Sequence, residues 1–268
     1  MNPLGIDPNL ISFHLGDLHL QVRWYSVMYI MGYVLGSYLL LRLTKIKFLP
    51  MTKVQIDQYI IHLIIGMIVG ARVIYCFVYD FPGLIQNPLS LFEVWKGGLS
   101  FHGAVLGMLI ATYLTAKKLK VSFFIISDAM ALAGTPGLFF GRMGNFINGE
   151  LFGRVTDVPW GMVFPEGGPI PRHPSMLYEG VMEGVILTMI LWFFMRRVKH
   201  YGMMGTIFLA GYGVFRFVVE FFREPDPQMG YVLFNFFTTG QVLCFLMILL
   251  SFVFYKVAMI RPIKIQRG

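Results

Sequence analysis

Seven stretches of this chain, each close to twenty residues and nearly free of charge, are separated by short polar connections. A bilayer's hydrocarbon core takes about 20 helical residues to cross, and within it every backbone N–H and C=O must be paired inside the segment. That alternation predicts an all-α, polytopic membrane protein of about seven transmembrane helices. The spans are expected at about 24–42, 57–79, 98–116, 122–143, 174–195, 202–222 and 233–256. Composition agrees, because only 13% of residues are charged and the mean hydropathy is +0.67, whereas a soluble domain carries about 25% charged residues. Little room is left for a sizeable soluble domain, so residues 1–268 are expected to form a single integral-membrane domain. The opening MNPLGIDPNLISFHLGDL has neither a basic n-region nor an apolar h-region and reads as no cleavable signal peptide. Residues 1–22, with Pro3, Gly5, Pro8 and Gly16, read as short strands or loops at the membrane surface.

The net charge of +8 would suit a nucleic-acid binder, but its distribution argues for topology instead. Of 22 lysines and arginines, 14 fall after the first, third and fifth spans or in the tail: residues 42, 45, 47, 53, 117, 118, 120, 196, 197, 199, 256, 261, 264 and 267. By the positive-inside rule these segments are cytoplasmic, which puts the N-terminus outside and the C-terminus inside. Residues 84–96, LIQNPLSLFEVWK, are amphipathic and suit the interface, with Trp95 as anchor. Residues 149–173 hold four prolines and five glycines, too polar to span, and read as a small extracytoplasmic head or lid. Cys76 and Cys244 lie in apolar runs far apart and read as packing residues.

Against this apolar background the segment Gly141–Arg154, GRMGNFINGELFGR, stands out. A central arginine costs roughly 2.5–3.5 kcal/mol on membrane-insertion scales, so polar groups there need a reason. Arg142 and Asn145, three apart, share a helix face if the fourth span continues so far. A guanidinium, two amides and free backbone N–H groups would receive an anion, and phosphate fits best. With the expected topology, further polar residues share that outer side: Arg72, His102, Asn148, Glu150, Tyr178, Glu179, Glu183, Arg216, Glu220 and Arg223. Tyr212, Arg216 and Glu220 are spaced by four along one helix face. Bland readings stand beside these: Arg142 as an interfacial cap, Arg216–Glu220 as a structural ion pair, His102 as a packing residue. His62 keeps the bland reading, and His173 suits a cap or orienter at the head-to-helix junction. No metal-ligand spacing, P-loop, Ser-His-Asp pattern or dinucleotide fingerprint occurs. The residues alone describe an outward-facing cavity in the membrane, suited to an anionic phospholipid headgroup.

The segments SFHG (100–103), GRMGNFINGELFGR (141–154), RHPSMLYEG (172–180) and GYGVFR…EFFREPD (211–226) resemble the prolipoprotein diacylglyceryl transferases of bacterial inner membranes. The resemblance runs nearly the whole chain; Met176 departs from it, standing where the family usually has glutamine. It implies transfer of the diacylglyceryl group of phosphatidylglycerol to the lipobox cysteine of a prolipoprotein, with glycerol phosphate released and no cofactor or metal required. The partners so implied are phosphatidylglycerol, the prolipoprotein signal peptide and membrane lipid, with no nucleic acid, in the bacterial cytoplasmic membrane. The implied catalytic residues are His102 as base and Arg142 and Arg216 at the leaving phosphate. Asn145, Asn148 and Tyr212 would orient the headgroup, and Glu150, Glu220 and Arg223 would hold the arginines. Tyr25, Arg72 and Gly153 complete the implied substrate site. A transporter or flippase for anionic lipids or solutes is the alternative; it would need polar residues continuing to the cytoplasmic face, whereas the inner halves of the spans are nearly free of charge apart from Asp128.

Overall fold

The computed structural model describes residues 3–15, 18–224, 231–233 and 237–265. Gly16, the stop Pro225-Asp226-Pro227 and Arg267 of the basic tail lie outside the described residues. The chain opens with an antiparallel hairpin, β1 (Asn9–Leu15) and β2 (Leu18–Arg23), in register from Asn9↔Arg23 to Leu15↔Leu18 with one irregularity after Asn9. It passes without a break into α1 (Trp24–Lys45), whose first residue donates its N–H to the Pro8 carbonyl at 3.0 Å.

Helix α2 (Lys53–Ile74) starts at a capping box of Thr52 and Gln55 and runs on through a π turn, Tyr75–Tyr79. Helix α3 (Phe81–Gln86) and two short 3₁₀ turns, Pro88–Phe92 and Val94–Lys96, make up the segment expected at the interface. Helix α4 (Phe101–Leu119) is capped by Ser100, whose hydroxyl accepts the Gly103 N–H. Helix α5 (Phe123–Asn148) carries Pro136 inside it and continues five residues past its expected end. The fifth span is one continuous helix in three parts, α6 (Ser175–Glu179), a π segment (Gly180–Ile186) and α7 (Leu187–Met195). Then come α8 (Met203–Glu220), a short pair β3 (Tyr231–Leu233) and β4 (Phe237–Thr238), and α9 (Thr239–Ile260), capped by Thr238.

Among the described residues six helical segments are long and apolar enough to cross a bilayer: Trp24–Lys45, Lys53–Tyr79, Phe123–Asn148, Ser175–Met195, Met203–Glu220 and Thr239–Ile260. The stretch expected as the third span forms the helix α4, which is not among these six; His102 near its start and Lys117 and Lys118 at its end make it less apolar. Large apolar side chains stand exposed along the spans, among them Ile30, Val34 and Phe252, as lipid-facing surfaces require.

The described residues divide into two compact units, one of residues 40–127 and one of the described residues before 40 and after 127. In the first of these, α2 packs on α4 through paired small-residue motifs, Gly66-xxx-Gly70 against Gly103-xxx-Gly107. A Cβ at any of the four would press on backbone of the facing helix, so this approach requires glycine. Tyr59 and Thr112 join hydroxyls at 2.9 Å across it, and His62 lies 3.4 Å from the Thr115 hydroxyl. In the other unit α8 packs on α9, and buried Asp128 of α5 accepts the N–H groups of Gly202 (2.7 Å) and Gly205 (2.8 Å). That carboxylate caps the N-terminus of α8, where the helix dipole favours negative charge. Cys76 and Cys244 are both buried and unbridged.

Residues 149–173 are pinned down rather than loose. Gly153 N donates to the His173 carbonyl (2.8 Å), Arg154 N to that of Phe222 (3.0 Å), and Met162 and Arg172 exchange a backbone pair. Phe164 of this segment forms a core with Phe146 and Met176, and Phe152 stacks on Phe164 at 5.4 Å. Met176, fully buried there, has apolar neighbours that suit its thioether.

Candidate functional site

Three arginines from two elements converge on one carboxylate. Glu179, at the end of α6, is fully buried. Its Oε2 lies 2.6 Å from Arg142 Nη2 and 2.8 Å from Arg216 Nη1, and its Oε1 accepts from Arg223 Nη1 at 2.8 Å. Arg142 comes from α5, Arg216 from α8 and Arg223 from just beyond the end of α8. Glu220, one turn after Arg216, sets its Oε2 3.3 Å from Arg216 Nη2 and 3.4 Å from Arg223 Nε; its Oε1 accepts the Thr238 hydroxyl at 3.0 Å. Glu183 stands 3.8 Å from Arg216 Nη1, with Tyr212 beside it but outside hydrogen-bonding geometry. The arrangement brings together the Arg216–Glu220 pair expected from their spacing, yet the closer partner of Arg216 is Glu179.

Local sequence builds this convergence. Glycine at 180 and 184 lets the fifth span lie against α5 at Phe139 and Arg142, which brings Glu179 to Arg142. The π segment between them widens the helix where Glu183 projects, a feature that recurs at functional sites. Gly149 takes φ 73° and ends α5, and Leu151 at φ 59° turns the chain back. This places Glu150 so that its Oε1 accepts from Asn145 Nδ2 (2.8 Å) and Asn148 Nδ2 (3.2 Å). Asn145 Oδ1 in turn accepts from Arg142 Nη1 at 3.3 Å. Glu150 therefore reaches Arg142 through an amide, not directly.

Exposure runs in one direction through the cluster. The side chains of Glu179 and Glu183 are sealed and that of Glu220 is 8% exposed, while Arg142, Arg216 and Arg223 keep 22%, 17% and 12%. Carboxylates form the floor and guanidiniums the accessible layer, which is the order an anion-binding site needs. Glu179 and Glu220 are tolerable as buried charges because each meets two or more guanidiniums; taking one partner away costs about 3–5 kcal/mol.

The other expected residues make contacts outside the arginine–carboxylate cluster. Tyr25 of α1 lays its ring against Gly144, where a Cβ would collide with it, and shares a 3.1 Å hydroxyl contact with Tyr29. Gly153 admits the backbone between His173 and the Phe222 carbonyl. Arg72, buried in α2, directs its guanidinium to the carbonyls of Ser90, Gly97 and Gly98 and so ties down the segment before α4. His102 lies exposed in the first turn of α4 with Phe101 5.9 Å away, ring to ring. His173 packs with Tyr178 and Phe222, its Nδ1 3.1 Å from the Tyr178 hydroxyl, which also accepts from Trp160 Nε1 at 2.7 Å. Desolvation holds the His173 imidazole below its usual value, with Asp157 opposing. Among the described residues no three His, Cys, Asp or Glu side chains gather as metal ligands would.

Glu179, named from the sequence only among the polar residues of the outer side, is the centre of the cluster; two glutamates four apart in an apolar span are the signal that points to it. Reading by sequence missed Arg154 and Arg172. Arg154 Nε donates to the Arg223 carbonyl (2.7 Å), and Arg172 Nη1 to Glu224 (2.9 Å) and the Gly153 carbonyl (3.2 Å). These bonds link residues 149–173 to the chain that carries Arg223.

Comparison with known proteins agrees with this arrangement. Residues 11–257 match the family model described as prolipoprotein diacylglyceryl transferase. A protein of Nitratidesulfovibrio vulgaris is 46% identical over 246 residues, 92% of either chain. One of Geobacter sulfurreducens is 47% identical over 92% of this chain and 93% of its own. A third, from Coxiella burnetii, is 44% identical over the same shares. All three are named phosphatidylglycerol–prolipoprotein diacylglyceryl transferase. A family match over most of the length, on a membrane-helical frame with clustered arginines, has one consequence: this chain belongs to the prolipoprotein diacylglyceryl transferase family, and is a multi-pass membrane transferase.

Proposed function

We propose that this protein moves the diacylglyceryl group of phosphatidylglycerol to the lipobox cysteine of a prolipoprotein, the first step of lipoprotein maturation. The observation that carries the reading is the set of three partly exposed guanidiniums held over a sealed carboxylate. The names of the relatives supply the substrates, and the positive-inside distribution supports an extracytoplasmic position for the arginine cluster and residues 149–173.

In the reaction the cysteine sulfur attacks the glyceryl carbon that carries the phosphate. A C–S bond forms, the C–O bond breaks, and its electron pair stays on the departing phosphate. Arg142 and Arg216 bind that oxygen more tightly as its charge grows, which is what lowers the barrier. The thiol must lose its proton, and its free pKa of about 8.5 leaves little thiolate at neutral pH. His102 takes that proton. Its exposed place in the first turn of α4 leaves the ring open to an incoming peptide. Asn145, Asn148 and Glu150 form a relay that orients Arg142, and Glu220 orients Arg216 and Arg223. Tyr25 and Tyr212 flank the headgroup, Gly153 shapes the backbone beside it, and Arg72 positions the segment leading to His102. The transport reading is weaker, because Asp128 is occupied as the cap of α8.

Donor choice tests the reading. If the arginines recognise an anionic lipid, reconstituted protein should turn over phosphatidylglycerol and use zwitterionic phosphatidylethanolamine poorly. Equal turnover of both would show that headgroup charge is not read.

A further inference from the structure

Glu183 is the one member of the cluster whose position the reaction above does not explain. It is fully buried in the π segment, and neither carboxyl oxygen has a hydrogen-bond partner among the described residues. Its nearest cation is Arg216 at 3.8 Å, whereas Glu179 touches three guanidiniums and Glu220 holds two and the Thr238 hydroxyl. A buried carboxylate without hydrogen bonds is costly to keep ionised. The groups that face it are Glu179 on its own span, Arg142 from α5, Tyr212, Arg216 and, one turn on, Glu220 from α8, and the Cys244 thiol from α9.

Charge counting then constrains what happens when a lipid arrives. Arg142, Arg216 and Arg223 carry three positive charges and Glu179, Glu183 and Glu220 three negative ones, so the ionised set sums to zero. Glu150, linked through Asn145, only adds to the negative side. One phosphodiester would leave a net negative charge in a poorly hydrated place, where uncompensated charge is heavily penalised. Of the three carboxylates, Glu183 gives up the least when neutralised.

We propose that Glu183 is the charge-balancing residue of the site, taking up one proton from solvent as the anionic phosphodiester binds and releasing it when the phosphate product leaves. This rests on the proposed function, and it makes Glu183 a positioning residue that keeps Arg216 available to the lipid instead of to itself.

Calorimetry on the full-length protein in detergent tests it, with short-chain phosphatidylglycerol titrated in buffers of different ionisation enthalpy. The unmodified protein is expected to take up about one proton per lipid, and its affinity to fall about tenfold per pH unit where the free site is ionised. Glu183→Gln, which mimics the protonated form, is expected to take up none and to bind with an affinity that does not change with pH. Infrared difference spectra of the unmodified protein give a second readout that needs no variant: a protonated-carboxyl band should appear on lipid addition. No proton uptake by the unmodified protein, or uptake unchanged in Glu183→Gln, overturns the proposal. If diacylglyceryl transfer proceeds without proton uptake, only the role of Glu183 falls; if phosphatidylglycerol is neither bound nor used, the proposed function falls with it.

Discussion

Glu179 sets the geometry of the cluster at the scale of single residues. Two guanidiniums share its Oε2 and a third takes its Oε1, so its charge fixes all three forks. Glu179→Gln leaves a surplus of buried positive charge and is expected to destabilise the protein by about 3–5 kcal/mol, read as a lower unfolding temperature in detergent. Arg142→Lys keeps the charge but loses the planar fork. Its expected effect is about a 10²–10³-fold loss of transfer rate at every pH, with the unfolding temperature little changed. His102→Gln separates the base from the phosphate binders. A base contributes about 10²–10⁴-fold, and raising the pH replaces it by ionising the thiol directly. Transfer by His102→Gln should therefore recover relative to the unmodified enzyme between pH 6.5 and 9, while Arg142→Lys shows no recovery. Equal impairment of His102→Gln at every pH would mean that His102 orients or packs. The polar residues of the cluster were legible in the sequence because arginine and glutamate in apolar runs need partners. Of their pairings only Arg216–Glu220 was, from its spacing of four; Glu179, which Arg142 and Arg216 both meet, lies on a span that sequence spacing cannot align with α5 or α8.

Elements explain how much of the frame could be read in advance. Thr52, Ser100 and Thr238 cap helices that start at 53, 101 and 239, against expected starts of about 57, 98 and 233, because the capping residue and not the first apolar residue sets where a helix begins. Helix α5 ran further, to Asn148, because Gly149, the residue in left-handed conformation, comes after the polar motif and not before it. Asp128 looked like a stray charge, since its partners Gly202 and Gly205 lie more than seventy residues away in sequence. The α2–α4 contact gives a test at this scale. A side chain at Gly70 would press on the Gly103 carbonyl, whereas Gly134 has open space around it. Gly70→Val should destabilise by about 1–3 kcal/mol or more, with Gly134→Ala tolerated, as thermal unfolding in detergent would report. The head segment offers a second test. His173 is held below its usual value in the folded state, so its contribution to stability is full above the ordinary imidazole pKa and is lost as pH falls. Acidification should then expose residues 155–170 to protease faster, and His173→Gln should lose that pH dependence.

The whole molecule joins a topology to a chemistry. If the positive-inside rule holds for this chain, Lys118, Arg197 and Lys264 should label from the cytoplasm and residues 155–170 from outside. Labelling of Lys118 from outside would invert the orientation and remove the lipid-facing argument for the cluster. Family membership and the clustered arginines meet in one claim, that a lipid's glyceryl carbon is passed to a cysteine sulfur. Mass spectrometry of a lipobox peptide incubated with the purified protein and phosphatidylglycerol addresses that claim most directly. A diacylglyceryl adduct on the peptide cysteine is expected, with glycerol phosphate released in equal amount and neither formed by Arg142→Lys at a comparable rate. A folded, purified protein that leaves the cysteine unmodified in the presence of phosphatidylglycerol would contradict it.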